Sequence, residues 1–112
     1  MNRDQLRAIL AAHLWWLKGE AIADDAPQRL QAVARAALAS DDSLEMSDWH
    51  TCNTTHCIAG WAIHQAGALG WLLEQLHGAE IAGLMLLGPD ARRYFYASND
   101  EAREFLRSVL ND

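Results

Sequence analysis

Apolar residues return every third or fourth position along most of the chain. Leu6, Ile9, Leu10, Leu14 and Leu17 form one such stripe, Leu30, Val33, Ala34, Ala37 and Leu38 a second, and Ala102, Phe105, Leu106, Val109 and Leu110 a third. That period matches the face of an α-helix turned toward a core. The residue types agree with it. Alanine occurs 20 times and leucine 16, against 10 for valine, isoleucine and threonine together. Alanine and leucine lose little side-chain freedom in a helix, whereas β-branched residues favour strands. No run of alternating β-branched or aromatic positions marks a strand. The expected fold is all-α, a compact bundle of five or six short helices in one domain spanning residues 1–112.

Local signals divide the bundle. A helix over about 3–18 stops at Gly19, and Asp25 with Gln28 forms a capping box ahead of the second stripe, with Pro27 in the first turn. Residues 44–54 (LEMSDWHTCNT) have no period and are expected to form an irregular loop. A helix capped by Thr54 or Thr55 follows and ends at Ala66–Gly67. Others span about 69–76, stopped by Gly78, and 79–87, stopped by Gly88–Pro89. Ser98 and Glu101 form the clearest capping box, opening the last helix.

Charge narrows the function classes. Fifteen acidic residues against 9 basic ones leave a net charge of −6. Nucleic-acid binders place clustered Lys and Arg against phosphates, so nucleic acid is not an expected partner. Arg92, Arg93, Arg103 and Arg107 are interleaved with Asp90, Asp100, Glu101 and Glu104 and make no basic stripe. Residues 8–17 (AILAAHLWWL) are apolar, and Ala21-Ile22-Ala23 looks like a signal-peptidase site. Asp4, His13, Lys18 and Glu20 break that pattern, and the run falls short of the ~20 residues that span a bilayer. An amphipathic helix in a cytoplasmic protein, with no membrane partner, is the expectation. No phosphate-cradling glycine loop, G-x-S-x-G or H-E-x-x-H is present.

Chemistry concentrates in residues 49–64, which hold both cysteines and three of the five histidines. Within it, Cys52, Thr54, Cys57, Ile58, Ala59, Gly60, Trp61 and Ala62 follow a C-x-T-x-x-C-[IL]-A-G-[WH]-A pattern. The pattern resembles that of a group of short uncharacterised proteins from bacteria and their phages. The likeness extends over 46–52 and 84–99, about half the chain. It implies a small, phage-related protein and supplies no activity.

Four readings of the segment follow from its chemistry. In the first, His50, Cys52, His56 and Cys57 bind zinc, with Asp48 or water completing the set. The spacing is poor, because helical ligands of one ion sit at i, i+3 or i+4, and neighbours such as His56 and Cys57 diverge. In the second, Cys57 is a reactive thiol at a helix N-terminus with His50 as its base. In the third, Cys52 and Cys57 form a disulfide, which a reducing compartment disfavours. The preferred reading is structural and needs no cofactor. Thr54 or Thr55 caps the helix, while Cys57, Ile58, Trp61 and Ala62 face inward. Ala59 and Gly60 then admit a neighbouring helix, since glycine inside a helix costs ~1 kcal/mol relative to alanine and needs a packing reason.

Five tryptophans (Trp15, Trp16, Trp49, Trp61 and Trp71) are many for a small core. Trp16 and Trp71, near helix ends, are the candidates for a contact surface, because tryptophan is enriched at interface hot spots. The functional expectation is a non-enzymatic accessory or interaction protein that binds a protein partner or a second copy of itself.

Overall fold

A computed structural model describes Arg3, residues 25–52 and residues 54–111. The helix expected over 3–18, with Trp15 and Trp16, lies outside the described residues apart from Arg3. Among the described residues there are six helices: α1 (Ala26–Ala37), α2 (Ile58–Gln65), α3 (Ala68–His77), α4 (Ala79–Leu87), α5 (Pro89–Arg92) and α6 (Asn99–Asn111). The protein is mostly α-helical, as its residue types dictate. None of these helices is long and apolar enough to cross a membrane.

The segment expected as an irregular loop holds the one departure. Strands β1 (His50–Cys52) and β2 (Thr55–His56) pair antiparallel, with His50 opposite His56 and Cys52 opposite Thr55. Strands of three and two residues are too short to show a period. They are tied down from outside: Glu45 N–H donates to the His56 carbonyl at 3.2 Å, and His56 N–H to that of Ser43 at 3.3 Å. The Thr55 hydroxyl donates to the Asp42 carbonyl at 2.7 Å.

Helix α4 lies at the centre, packed against α1, α2, α3 and α5. Its residues from Ala82 to Leu87 are all buried, as expected of a helix apolar on every side. Gly78 and Gly88 bound it with φ of 86° and 94°, a conformation that L side chains rarely adopt. Close approach of α2 and α4 depends on small residues. A Cβ on Gly83 would stand 2.7 Å from the Ala59 Cβ and 2.9 Å from the Phe95 ring. Gly70 seats α3 equally tightly, since a Cβ there would lie 2.1 Å from the Ile63 carbonyl oxygen. Phe95, Ile58, Leu73, Met85 and Leu106 fill the centre.

Two capping expectations meet different outcomes. Ser98 caps α6 as expected: its hydroxyl accepts from Glu101 N–H at 3.2 Å and donates to the Glu101 carboxylate at 3.0 Å. Ser98→Ala should therefore lower stability by about 1 kcal/mol, read as a reduced urea midpoint at unchanged slope. Asp25 makes no such cap on α1. Its carboxylate is drawn instead to Arg29 Nε at 3.0 Å, one helical turn away.

Helix α6 also fixes the segment before β1. Asn99 Oδ1 accepts from Met46 N–H at 2.8 Å, 53 residues away in sequence. Its Nδ2 donates to the Glu45 carboxylate at 2.8 Å. Arg103 reaches the Asp41 carbonyl from the next turn of the helix.

Candidate functional site

The His/Cys segment separates into two environments. Cys57 is itself the N-cap of α2, in extended conformation (φ −74°, ψ −179°). Gly60 N–H donates to its sulfur at 3.3 Å, and the thiol points to the Trp49 carbonyl at 3.7 Å. Thr54 and Thr55, the expected caps, are committed elsewhere, Thr54 to Cys52 and Thr55 to Asp42. The cap position thus falls to a sulfur, a weak acceptor that carries no cap signature in sequence.

This placement weighs against the reactive-thiol reading of Cys57. The side chain is 1% exposed. Burial pushes its thiol up to about 11, outweighing the amide hydrogen bonds from Gly60 and Ala59 that pull the other way. Proximity to a helix N-terminus was expected to favour thiolate, but desolvation wins. His50 is not its base either, because both ring nitrogens of His50 are engaged elsewhere. Cys52 is the opposite case. It is exposed, and hydrogen bonds from Thr54 and then Thr55 hold its thiol at about 7. Both cysteines are free thiols, so the disulfide reading is not realised.

Gly60 has a packing reason, but with a different partner from the one expected. A Cβ there would stand 1.7 Å from the Trp49 carbonyl oxygen, so Gly60 admits the loop backbone rather than a helix. Trp61 is buried as expected, and its indole N–H donates to the Ser43 carbonyl at 2.7 Å.

The second environment is an imidazole cluster. His50 Nδ1 lies 2.9 Å from His56 Nδ1, and His50 Nε2 lies 3.0 and 3.2 Å from the two Glu74 carboxylate oxygens. The carboxylate only accepts, so Nε2 of His50 carries hydrogen. Between the two Nδ1 atoms one hydrogen is shared. A neutral His50 accepts from Nδ1–H of His56, whereas an imidazolium His50 donates to it. Double protonation of both rings would leave two donors face to face. His56, 3% exposed, is stacked on His64 at 4.7 Å and meets the Trp61 ring edge-on at 4.8 Å. The cluster fastens the β1–β2 ribbon onto α2 and α3.

The expected ligand set is therefore not gathered. His50 and His56 meet, but Cys57 turns to the Trp49 carbonyl and Cys52 to solvent. Among the described residues, no group of three or more His, Cys, Asp or Glu is placed to hold a metal ion. Glu74 was missed by sequence reasoning, since it pairs with a residue 24 positions away. Its one available signal was being the sole charged residue in Ala68–His77, if histidine is left aside.

Beside the cluster lies a surface depression of about 360 Å³, lined by His50, Ile63, His64, Gly67, Trp71 and Glu74. Trp71 is 58% exposed at its edge, while Trp61 is buried and Trp49 half-buried. Comparison with family models, with curated proteins and with solved structures gives no match.

Proposed function

We propose that the protein is a small non-enzymatic interaction protein that uses the Trp71 surface to bind a protein partner or a second copy of itself. The exposure of Trp71 carries this reading. An indole of ~200 Å² left more than half in water forgoes roughly 2–3 kcal/mol of burial, which an interface recovers. The ring is also presented from a fixed base. Gly70, its neighbour, is pressed onto the Ile63 carbonyl, so α3 has little room to roll. Tryptophan is among the residue types at which interface binding energy concentrates, and a rigid one loses little freedom on docking. The non-enzymatic part is supported by the use of Cys57 as a cap and of both His50 nitrogens as fasteners. The motif likeness to short bacterial and phage proteins is consistent with a phage-related setting and supplies no activity.

Trp71→Ala should leave far-UV circular dichroism unchanged. It should also abolish either concentration-dependent association in sedimentation velocity or retention of a partner that the wild type retains. A wild type that stays monomeric at every concentration and retains no partner would remove the proposal. So would a variant that behaves as the wild type does.

A further inference from the structure

A separate cavity of about 170 Å³ is lined by Met46, Ser47, Asp48, Trp49, Phe95 and Tyr96, and shares no residue with the Trp71 depression. We propose that it binds an alkylated ammonium group, as carried by choline-like molecules or a methylated lysine side chain, in the open angle where the Trp49 and Tyr96 rings meet, with Asp48 as counter-charge.

Three aromatic rings form its walls at steep angles. Trp49 and Tyr96 have centroids 5.9 Å apart and planes at 76°, and Trp49 and Phe95 stand 6.4 Å apart at 87°. Rings set near right angles surround a small guest from different directions, and a cation within ~6 Å of a ring face is drawn to its negative quadrupole. Tyr96 is 75% exposed, yet it is held in place. Its hydroxyl donates to Glu80, whose other carboxylate oxygen takes Arg92 Nη2 at 2.7 Å. Phe95 is fully buried and anchors the adjoining wall.

The charges select the sign of the guest. Asp48 makes no hydrogen bond or ion pair with any described residue, so no described cation offsets its negative charge at the rim. Arg92, the cation nearest in the network, is already paired with Glu80, and Glu45 is held by Ser47 and Asn99. An anion would meet Asp48 unshielded. A bare ammonium needs several acceptors to replace its water, and among the lining side chains Ser47 and Asp48 offer them, since the Tyr96 hydroxyl is committed to Glu80 and the Trp49 indole only donates. Alkylation removes that demand and adds apolar contact with the aromatic walls and Met46.

The test follows the Trp49 indole resonance by NMR during titration with choline and with its uncharged carbon isostere, 3,3-dimethylbutan-1-ol. Peptides bearing trimethyllysine or unmodified lysine form the second pair of arms. Choline or the trimethyllysine peptide should give a saturable shift, with the isostere and the unmodified peptide binding at least about tenfold more weakly. Which of the two binds tells a free small molecule from a protein side chain. Tyr96→Ala and Asp48→Asn, each checked for wild-type circular dichroism, should each weaken binding several-fold. The proposal fails if no shift saturates, if the isostere or unmodified lysine binds as well, or if both folded variants bind like the wild type.

Discussion

Gly60→Ala should be among the most damaging single-methyl additions available in this chain. In an exposed helix the change would stabilise by about 1 kcal/mol. Here the new Cβ would fall 1.7 Å from the Trp49 carbonyl oxygen and 3.0 Å from the His56 Cβ. The obstacle is backbone, which cannot step aside by changing rotamer. That same carbonyl receives the Cys57 thiol, so moving it disturbs the cap as well as the loop. Overpacking a core costs about 1–3 kcal/mol when side chains can yield, so a loss of about 3 kcal/mol or more is expected. Urea denaturation followed by circular dichroism measures it, with Gly78→Ala as the control. Nothing lies within 4 Å of a Cβ at Gly78, and only its backbone conformation (φ 86°, ψ 165°), a region kept almost entirely to glycine, opposes the change, costing about 1–3 kcal/mol. If Gly60→Ala is no worse than the control, the α2–loop contact is wrongly described.

The two thiols should differ at least a hundredfold in alkylation rate at neutral pH. With thiols at about 7 for Cys52 and about 11 for Cys57, the thiolate fractions differ by nearly four powers of ten. Thiolate nucleophilicity rises with pKa, with β of roughly 0.4–0.5, which returns about two of those powers. Burial of Cys57 then slows it further, toward the rate at which the fold opens. The pH profile has a defined sign. The Cys52 rate should be about half-maximal near pH 7, level off above about pH 8 and fall away below 7, because its lowered value extends the thiolate form down to neutrality. Timed iodoacetamide labelling with peptide mass spectrometry checks both. Equal labelling of Cys57 in the native protein would contradict its place as a buried cap.

What the sequence disclosed was local, and what it concealed was distant or unconventional. Gly78 and Gly88–Pro89 marked α4 correctly because a positive φ and a missing N–H act on the chain within two residues. Ser98 and Glu101 announced α6 for the same reason. Asp25 misled because Arg29, one turn on, competes for the carboxylate that a cap would use. Thr54 and Thr55 misled because they are better cap formers than cysteine, yet they sit beside or within a ribbon too short to recognise. The helix-interior glycine correctly signalled crowding at Gly60, but nothing nearby in sequence could show that the crowding atom belonged to Trp49. Glu74 was least legible, as its meeting with His50 depends on how α3 crosses the ribbon.

Asn99 grips Met46 and Glu45 from far along the chain, and Arg103 grips Asp41. Consequently the brace on one wall of the aromatic cavity at Trp49 is supplied by a helix made after all of its walls. Its walls come from 46–49 and 95–96, and the bolt that sets the first of these is made later than either. A nascent chain halted before position 99 would carry every wall residue but lack that brace.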